Sequence, residues 1–204
     1  KFLYPNDTRR EGKQLRIKQQ YVLCSASLQD MLRTYKAAHG SDFSQFAALH
    51  AVQLNDTHPT MSIPELIRLL VDIQGVPWAQ AWSLAQRIFS YTNHTLMSEA
   101  LETWPVDLMG RVLPRHLMII FDINNEFLTM VAQKYGSDND LMRRISLIDE
   151  TGERRVRMAY LAVVASHKIN GVSALHSELM KQSIFADFAR IFPERFTNVT
   201  NGIT

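Results

Sequence analysis

The chain has 204 residues, 46% hydrophobic and 21% charged, so it carries enough apolar mass for a packed core and is not a low-complexity polymer. Its formal net charge of +2 is too weak a bias to mark nucleic acid or an anionic membrane as a partner. A single cysteine, Cys24, excludes an internal disulfide, and with no signal-peptide pattern and no bilayer-length apolar run the expectation is a cytoplasmic protein.

Residues 18–38 predict a helix, with Tyr21, Leu28, Met31, Leu32 and Tyr35 at helical spacing and Gly40 beyond its end. A short strand is expected over 50–54. A second helix follows, with Ser62 as its cap, Pro64 in its first turn and Glu65 completing a capping box. Leu66, Leu70 and Ile73 would form its buried stripe and Gly75 its end. Trp78, Trp82, Ala85 and Phe89 repeat as a third helix, and 88–92 turn toward strand character. Pro105 opens a long helix carrying Leu113, Leu117, Ile120, Phe127 and Val131, with a kink or restart at Pro114. Residues 156–165, nearly all apolar, read as a strand buried on both faces. From Gly171 a last helix would turn Val172, Leu175 and Leu179 inward. Strands alternating with helices predict an α/β fold, its helices packed on a mainly parallel sheet. Both chain ends, Lys1 and Thr204, read as internal to a longer protein.

Polar clusters recur at the ends of these candidate strands: Asn55-Asp56-Thr57-His58-Pro59, Thr92-Asn93-His94-Thr95, Ser166-His167-Lys168 with Asn170-Gly171, and Thr200-Asn201-Gly202. In open α/β sheets ligands bind beyond the carboxyl ends of the strands. Short donors and acceptors of this kind suit a neutral polyhydroxyl ligand; the same residues also serve as turn and cap formers. No glycine-rich nucleotide motif and no nucleophile elbow is present. Asp56, His58 and His94 could mimic a two-histidine, one-carboxylate metal site, but such short strings are common in turns and no metal is expected. Cys24 reads as an inert buried thiol, and His39, His50, His116 and His176 as structural. The four Asn-x-Thr sequons, at Asn6, Asn55, Asn93 and Asn198, read as chance.

Leu3-Tyr4-Pro5-Asn6-Asp7, Leu54-Asn55-Asp56-Thr57-His58-Pro59, Tyr91-Thr92-Asn93-His94-Thr95, Leu113-Pro114-Arg115-His116 and Thr200-Asn201-Gly202-Ile203-Thr204 resemble, in order and nearly end to end, successive motifs of the α-glucan phosphorylases. The resemblance implies the C-terminal half of the N-terminal domain of a glycosyltransferase-B-type (GT-B) enzyme. It implies cleavage of a terminal α-1,4 glucosyl unit of glycogen or maltodextrin by orthophosphate, releasing glucose 1-phosphate. It implies pyridoxal phosphate, held by a lysine that follows Thr204, and a homodimeric parent; the chain alone would be inactive. His94 matches the histidine whose ring contacts the 6-hydroxyl of the reacting glucose and whose backbone carbonyl faces the anomeric centre. Asn201 matches an asparagine that grips sugar hydroxyls. Asp56, His58 and Thr95 match residues lining the neighbouring acceptor side, and Val172 an apolar residue beside the ring.

The sequence departs from AMP-activated relatives, which carry two adjacent arginines where this chain has Arg33-Thr34 and a longer loop than residues 36–49 provide. AMP activation is therefore not expected, since one arginine lacks the paired phosphate clamp. A non-catalytic glucan-binding half-domain is the competing reading. It would display aromatics for sugar stacking, whereas Trp78, Trp82 and Trp104 fall at helix-core or helix-entry positions.

Overall fold

The long first helix, α1 (Arg10–His39), buries Ile17, Cys24, Leu28, Leu32 and Tyr35, a stripe spaced by threes, fours and sevens. It begins eight residues before the predicted start; in the computed structural model residues 8–203 are described, so the Leu3–Asp7 motif and Thr204 lie outside them. Gly40, at φ +60, ends α1 by donating its N–H to Lys36 O. The single turn α2 (Phe46–Leu49) packs Phe46 edge-on against Tyr35, and strand β1 (Val52–Asn55) follows.

Helix α3 (Ser62–Arg68) corrects the capping-box expectation. The chain already coils from Thr57, with Thr60 N–H on Thr57 O and Ser62 N–H on Pro59 O, so Ser62 is a helical residue and caps nothing. Glu65 is instead buried between three helices. Its carboxylate accepts from Ser25 Oγ on α1 at 2.6 Å, from Arg68 Nε at 2.8 Å and from His116 Nε2 at 2.5 Å. Burial opposes its ionisation, but the hydrogen bonds from Arg68, His116 and Ser25 together outweigh this and lower its pKa to about 2. After α3 the helix widens over Leu69–Ile73, where Gln74 N–H reaches back five residues to Leu69 O. Leu66 and Leu70 stay in the core, but the wider turn leaves Ile73 at 59% exposure.

Helix α4 (Trp78–Ile88) runs directly into β2 (Phe89–Thr92), so Phe89 is a strand residue. Strand β3 (Thr103–Pro105) precedes α5 (Val106–Val112). The helical pattern restarts at Pro114, since Leu113 is non-helical (φ −136, ψ 62) and Pro114 opens α6 (Pro114–Tyr135) at its first turn. Asp138 caps α7 (Asn139–Ile145). Strands β4 (Ile148–Asp149) and β5 (Arg155–Arg157) form with β3 an antiparallel sheet of order β3-β5-β4.

Residues 156–165 are not one strand. Only Val156 and Arg157 extend β5, and α8 (Met158–Ala165) takes the rest. Seven of its eight residues are buried, so its sequence shows no amphipathic period to distinguish it from a buried strand. Strand β6 (Lys168–Gly171), helices α9 (Ala174–Gln182) and α10 (Ala186–Ile191), and strand β7 (Phe196–Asn198) complete the described chain. The main sheet is wholly parallel, in the order β1-β2-β6-β7. Helix α8 packs on β2, and α9 on β6 and β7. This is the α/β architecture expected, a parallel sheet covered by helices. No described helix is long and apolar enough to cross a membrane.

The strands end together at Asn55, Thr92, Gly171 and Asn198, which sets three of the four polar clusters, and the Asn170-Gly171 part of the remaining one, along one carboxyl edge. Ser166-His167-Lys168 does not belong there. Those residues enter β6, and Lys168 Nζ donates to Glu194 O at the opposite end of the sheet.

Candidate functional site

Asp56, the first residue past β1, is held by its own N–H on Thr92 O at 3.0 Å and takes a left-handed conformation, φ +62. It is the one non-glycine residue at positive φ among the described residues, and such strain gathers at functional sites. Its Oδ1 accepts from Thr57 N–H at 2.6 Å, so the side chain also closes the turn. Across the sheet, Gln53 Nε2 donates to Thr92 Oγ1, which donates to Asn170 Oδ1, both at 2.9 Å. Asn93 is fully buried, its N–H on Asn170 O, and its Nδ2 donates to the buried Tyr91 hydroxyl at 3.2 Å. The edge is therefore held by fixed hydrogen bonds.

His94 is exposed at this edge, and its Nε2–H donates to Asn55 Oδ1 at 2.6 Å. That bond orients the ring and leaves Nδ1 for a ligand hydroxyl. Asn201 N–H donates to Val172 O at 3.0 Å, which ties the segment after β7 to the turn after β6. Asp56, His58 and Thr95 meet around a cavity of about 460 Å³, shared with Arg16, Glu102 and Trp104. His94, Val172 and Asn201 do not line that cavity; they occupy the more open part of the same edge.

Glu102 is the cavity residue that the sequence did not disclose. Its Oε2 receives Arg16 at 3.3 Å, Gln20 at 3.2 Å and His58 Nδ1 at 3.5 Å, while its Oε1 is buried without a partner among the described residues. The hydrogen bond to Glu102 raises the His58 imidazole above its ordinary value, against the opposing effect of burial. A lone glutamate before a short strand carries no sequence signal, because its partners come from α1 and the turn after β1. Asp56, His58 and His94 do not converge on a metal position: His58 turns to Glu102 and His94 to Asn55. Among the described residues no three of His, Cys, Asp and Glu cluster as metal ligands would. Cys24 is a free, buried thiol raised above its usual value by desolvation.

The profile of the carbohydrate phosphorylase family matches residues 1–204. The glycogen phosphorylase of Haemophilus influenzae is 59% identical over 204 residues, covering 100% of this chain and 25% of that protein. That of Saccharomyces cerevisiae is 55% identical over 204 residues, covering 99% of this chain and 22% of its own length. The liver form of glycogen phosphorylase from Homo sapiens is 49% identical over 211 residues, covering 100% of this chain and 25% of its own length. The chain thus spans about a quarter of the length of the curated relatives it matches. With that profile running from Lys1 to Thr204, over a parallel sheet that gathers Asn, Asp, His and Thr at one edge, the chain belongs to the carbohydrate phosphorylase family.

Proposed function

We propose that this chain forms the C-terminal half of the N-terminal domain of an α-1,4-glucan phosphorylase. That enzyme releases glucose 1-phosphate from glycogen or maltodextrin with orthophosphate. The observation that carries the reading is the match, along the whole chain, to proteins named glycogen phosphorylase. The polar carboxyl edge supports it.

In this reading the glucosyl unit lies at the edge between the β2 and β6 ends. His94 Nδ1 meets the 6-hydroxyl while its Nε2 stays anchored to Asn55. The His94 carbonyl dipole faces the anomeric centre and stabilises positive charge that develops there in the transition state. Asn201 binds sugar hydroxyls, Val172 packs beside the ring, and Asp56, His58 and Thr95 line the acceptor side. The tryptophans support catalysis over passive glucan capture. Trp82 and Trp104 are buried, and Trp78 is spent on Glu126 at 2.9 Å.

The resemblance assigns pyridoxal phosphate to the parent, and the residues described here do not fit its binding. Lys168, the lysine of the main sheet, points away from the carboxyl edge. The cofactor would be held by residues outside this chain, so the chain alone is expected to be inactive. A cytoplasmic, homodimeric parent belongs to the same reading. AMP finds no paired clamp on α1, where Arg33 is bound to Asp30 at 2.6 Å and Thr34 stands beside it. The direct test is turnover of a maltooligosaccharide and orthophosphate by the full-length protein. Glucose 1-phosphate production supports the proposal; hydrolysis to free glucose, or no turnover, contradicts it.

A further inference from the structure

His176 lies on the first turn of α9, outside every motif that carries the resemblance. Its backbone N–H donates to Ser173 Oγ at 3.1 Å, which caps the helix. Its ring does something else: Nδ1 accepts the backbone N–H of Val172 at 3.1 Å. Val172 is held on both sides of its residue, because its carbonyl accepts from Asn201 N–H at 3.0 Å. An imidazole that accepts at Nδ1 carries its proton on Nε2. That Nε2 is buried and faces the backbone of Thr95, next to His94. The ring therefore stands between the two sides of the carboxyl edge, with the turn after β6 on Nδ1 and the segment after β2 facing Nε2.

We propose that His176 is a positioning residue that fixes Val172, and through it Asn201, opposite the His94–Thr95 segment. The proposal rests on the reading that this edge holds the reacting glucosyl unit. Burial, with a smaller contribution from His94, holds the imidazole below its ordinary value and favours the neutral ring that accepting at Nδ1 requires. Without the acceptor, the Val172 N–H is left unpaired in a half-buried turn. Gly171 O still accepts from Val199 N–H at 3.2 Å, so the strand end stays in place while Val172, and the carbonyl by which it holds Asn201, loosens.

The test compares His176→Leu with His176→Asn in the full-length enzyme. Leucine matches the ring in bulk and offers no acceptor. Asparagine places its Oδ1 near the Nδ1 position. His176→Leu is expected to lower kcat/KM for phosphorolysis by about ten- to a hundredfold, the size of one orphaned donor, with little change in Tm. His176→Asn is expected to recover most of that loss. Amide exchange by mass spectrometry gives a readout independent of turnover. Peptides containing Val172 and Asn201 should exchange faster in His176→Leu and return toward wild type in His176→Asn. Equal exchange in all three proteins overturns the proposal, as does an asparagine variant impaired like the leucine one. A wild-type protein without phosphorolysis would contradict the proposed function, while the exchange comparison still decides the positioning role.

Discussion

At Asp56 a backbone constraint and a candidate ligand group share one residue. The φ of +62 costs an ordinary side chain about 1–2 kcal/mol, and asparagine and aspartate tolerate it best. Asp56→Gly and Asp56→Val both delete the carboxylate, yet only valine must be forced into the left-handed region. Valine should therefore be less stable than glycine by about 1–2 kcal/mol. If the carboxylate serves the acceptor side, both variants lose activity alike at temperatures where both are folded. Identical denaturation midpoints would show that the turn relaxes and that φ is not the constraint. Glu65 presents the opposite case, a charge with every partner in place. Glu65→Ala leaves Arg68 and His116 facing an empty buried site and should cost about 3–5 kcal/mol. Its folded pKa of about 2 lies below the ordinary 4.5, so its stabilisation is complete above 4.5 and is lost as pH falls from there toward 2. Over that window denaturation midpoints should fall more steeply for wild type than for Glu65→Gln; parallel curves would show that the network contributes nothing to acid sensitivity.

Among the elements, the contact of α9 with β6 is closest at Gly171. A Cβ built there would lie 2.6 Å from Ser177 Oγ and 2.9 Å from the Ser177 backbone N and Cα. Gly171→Ala should therefore destabilise by about 1–3 kcal/mol. Adding Ser177→Ala should not rescue it, because the backbone clash remains; rescue in a thermal melt would show that only the hydroxyl was in the way. This close approach also explains a failure of sequence pattern. Ser177 and Met180 are buried against the sheet, while Leu175, at 70% exposure, and Leu179, at 40%, lie on the far side of the helix. Apolarity pointed the wrong way because a glycine lets small residues make the contact. Residues 156–165 misled for a related reason: Ala159, Ala162 and Ala165 favour a helix, but burial on all sides erased the 3.6-residue period. Strands β6 and β7 went unseen because four and three residues carry too little pattern. What was legible depended on local chemistry: the proline restart at Pro114, the glycine stops at Gly40 and Gly75, and the helix-to-strand change near Ile88.

In the whole molecule, parallel strands of unequal legibility end in register and collect polar residues from sequence positions 55 to 201 along one edge. Most of that edge was visible from sequence, because short polar residues past an apolar run mark it. Glu102 and His176 were not, since their partners arrive from α1, from the turn after β1 and from Val172 through tertiary contact alone. The central claim is that this edge holds the reacting sugar with His94 on its 6-hydroxyl. The direct test is a cycle in the full-length enzyme, with His94→Ala as one change and a donor lacking the terminal 6-hydroxyl as the other. On the normal donor His94→Ala should lower kcat/KM by about ten- to a thousandfold, with residual activity from the backbone carbonyl that the substitution leaves in place. On the 6-deoxy donor wild type and variant should converge, whereas equal impairment on both donors would mean that His94 acts on fold or cleft shape and not on the 6-hydroxyl.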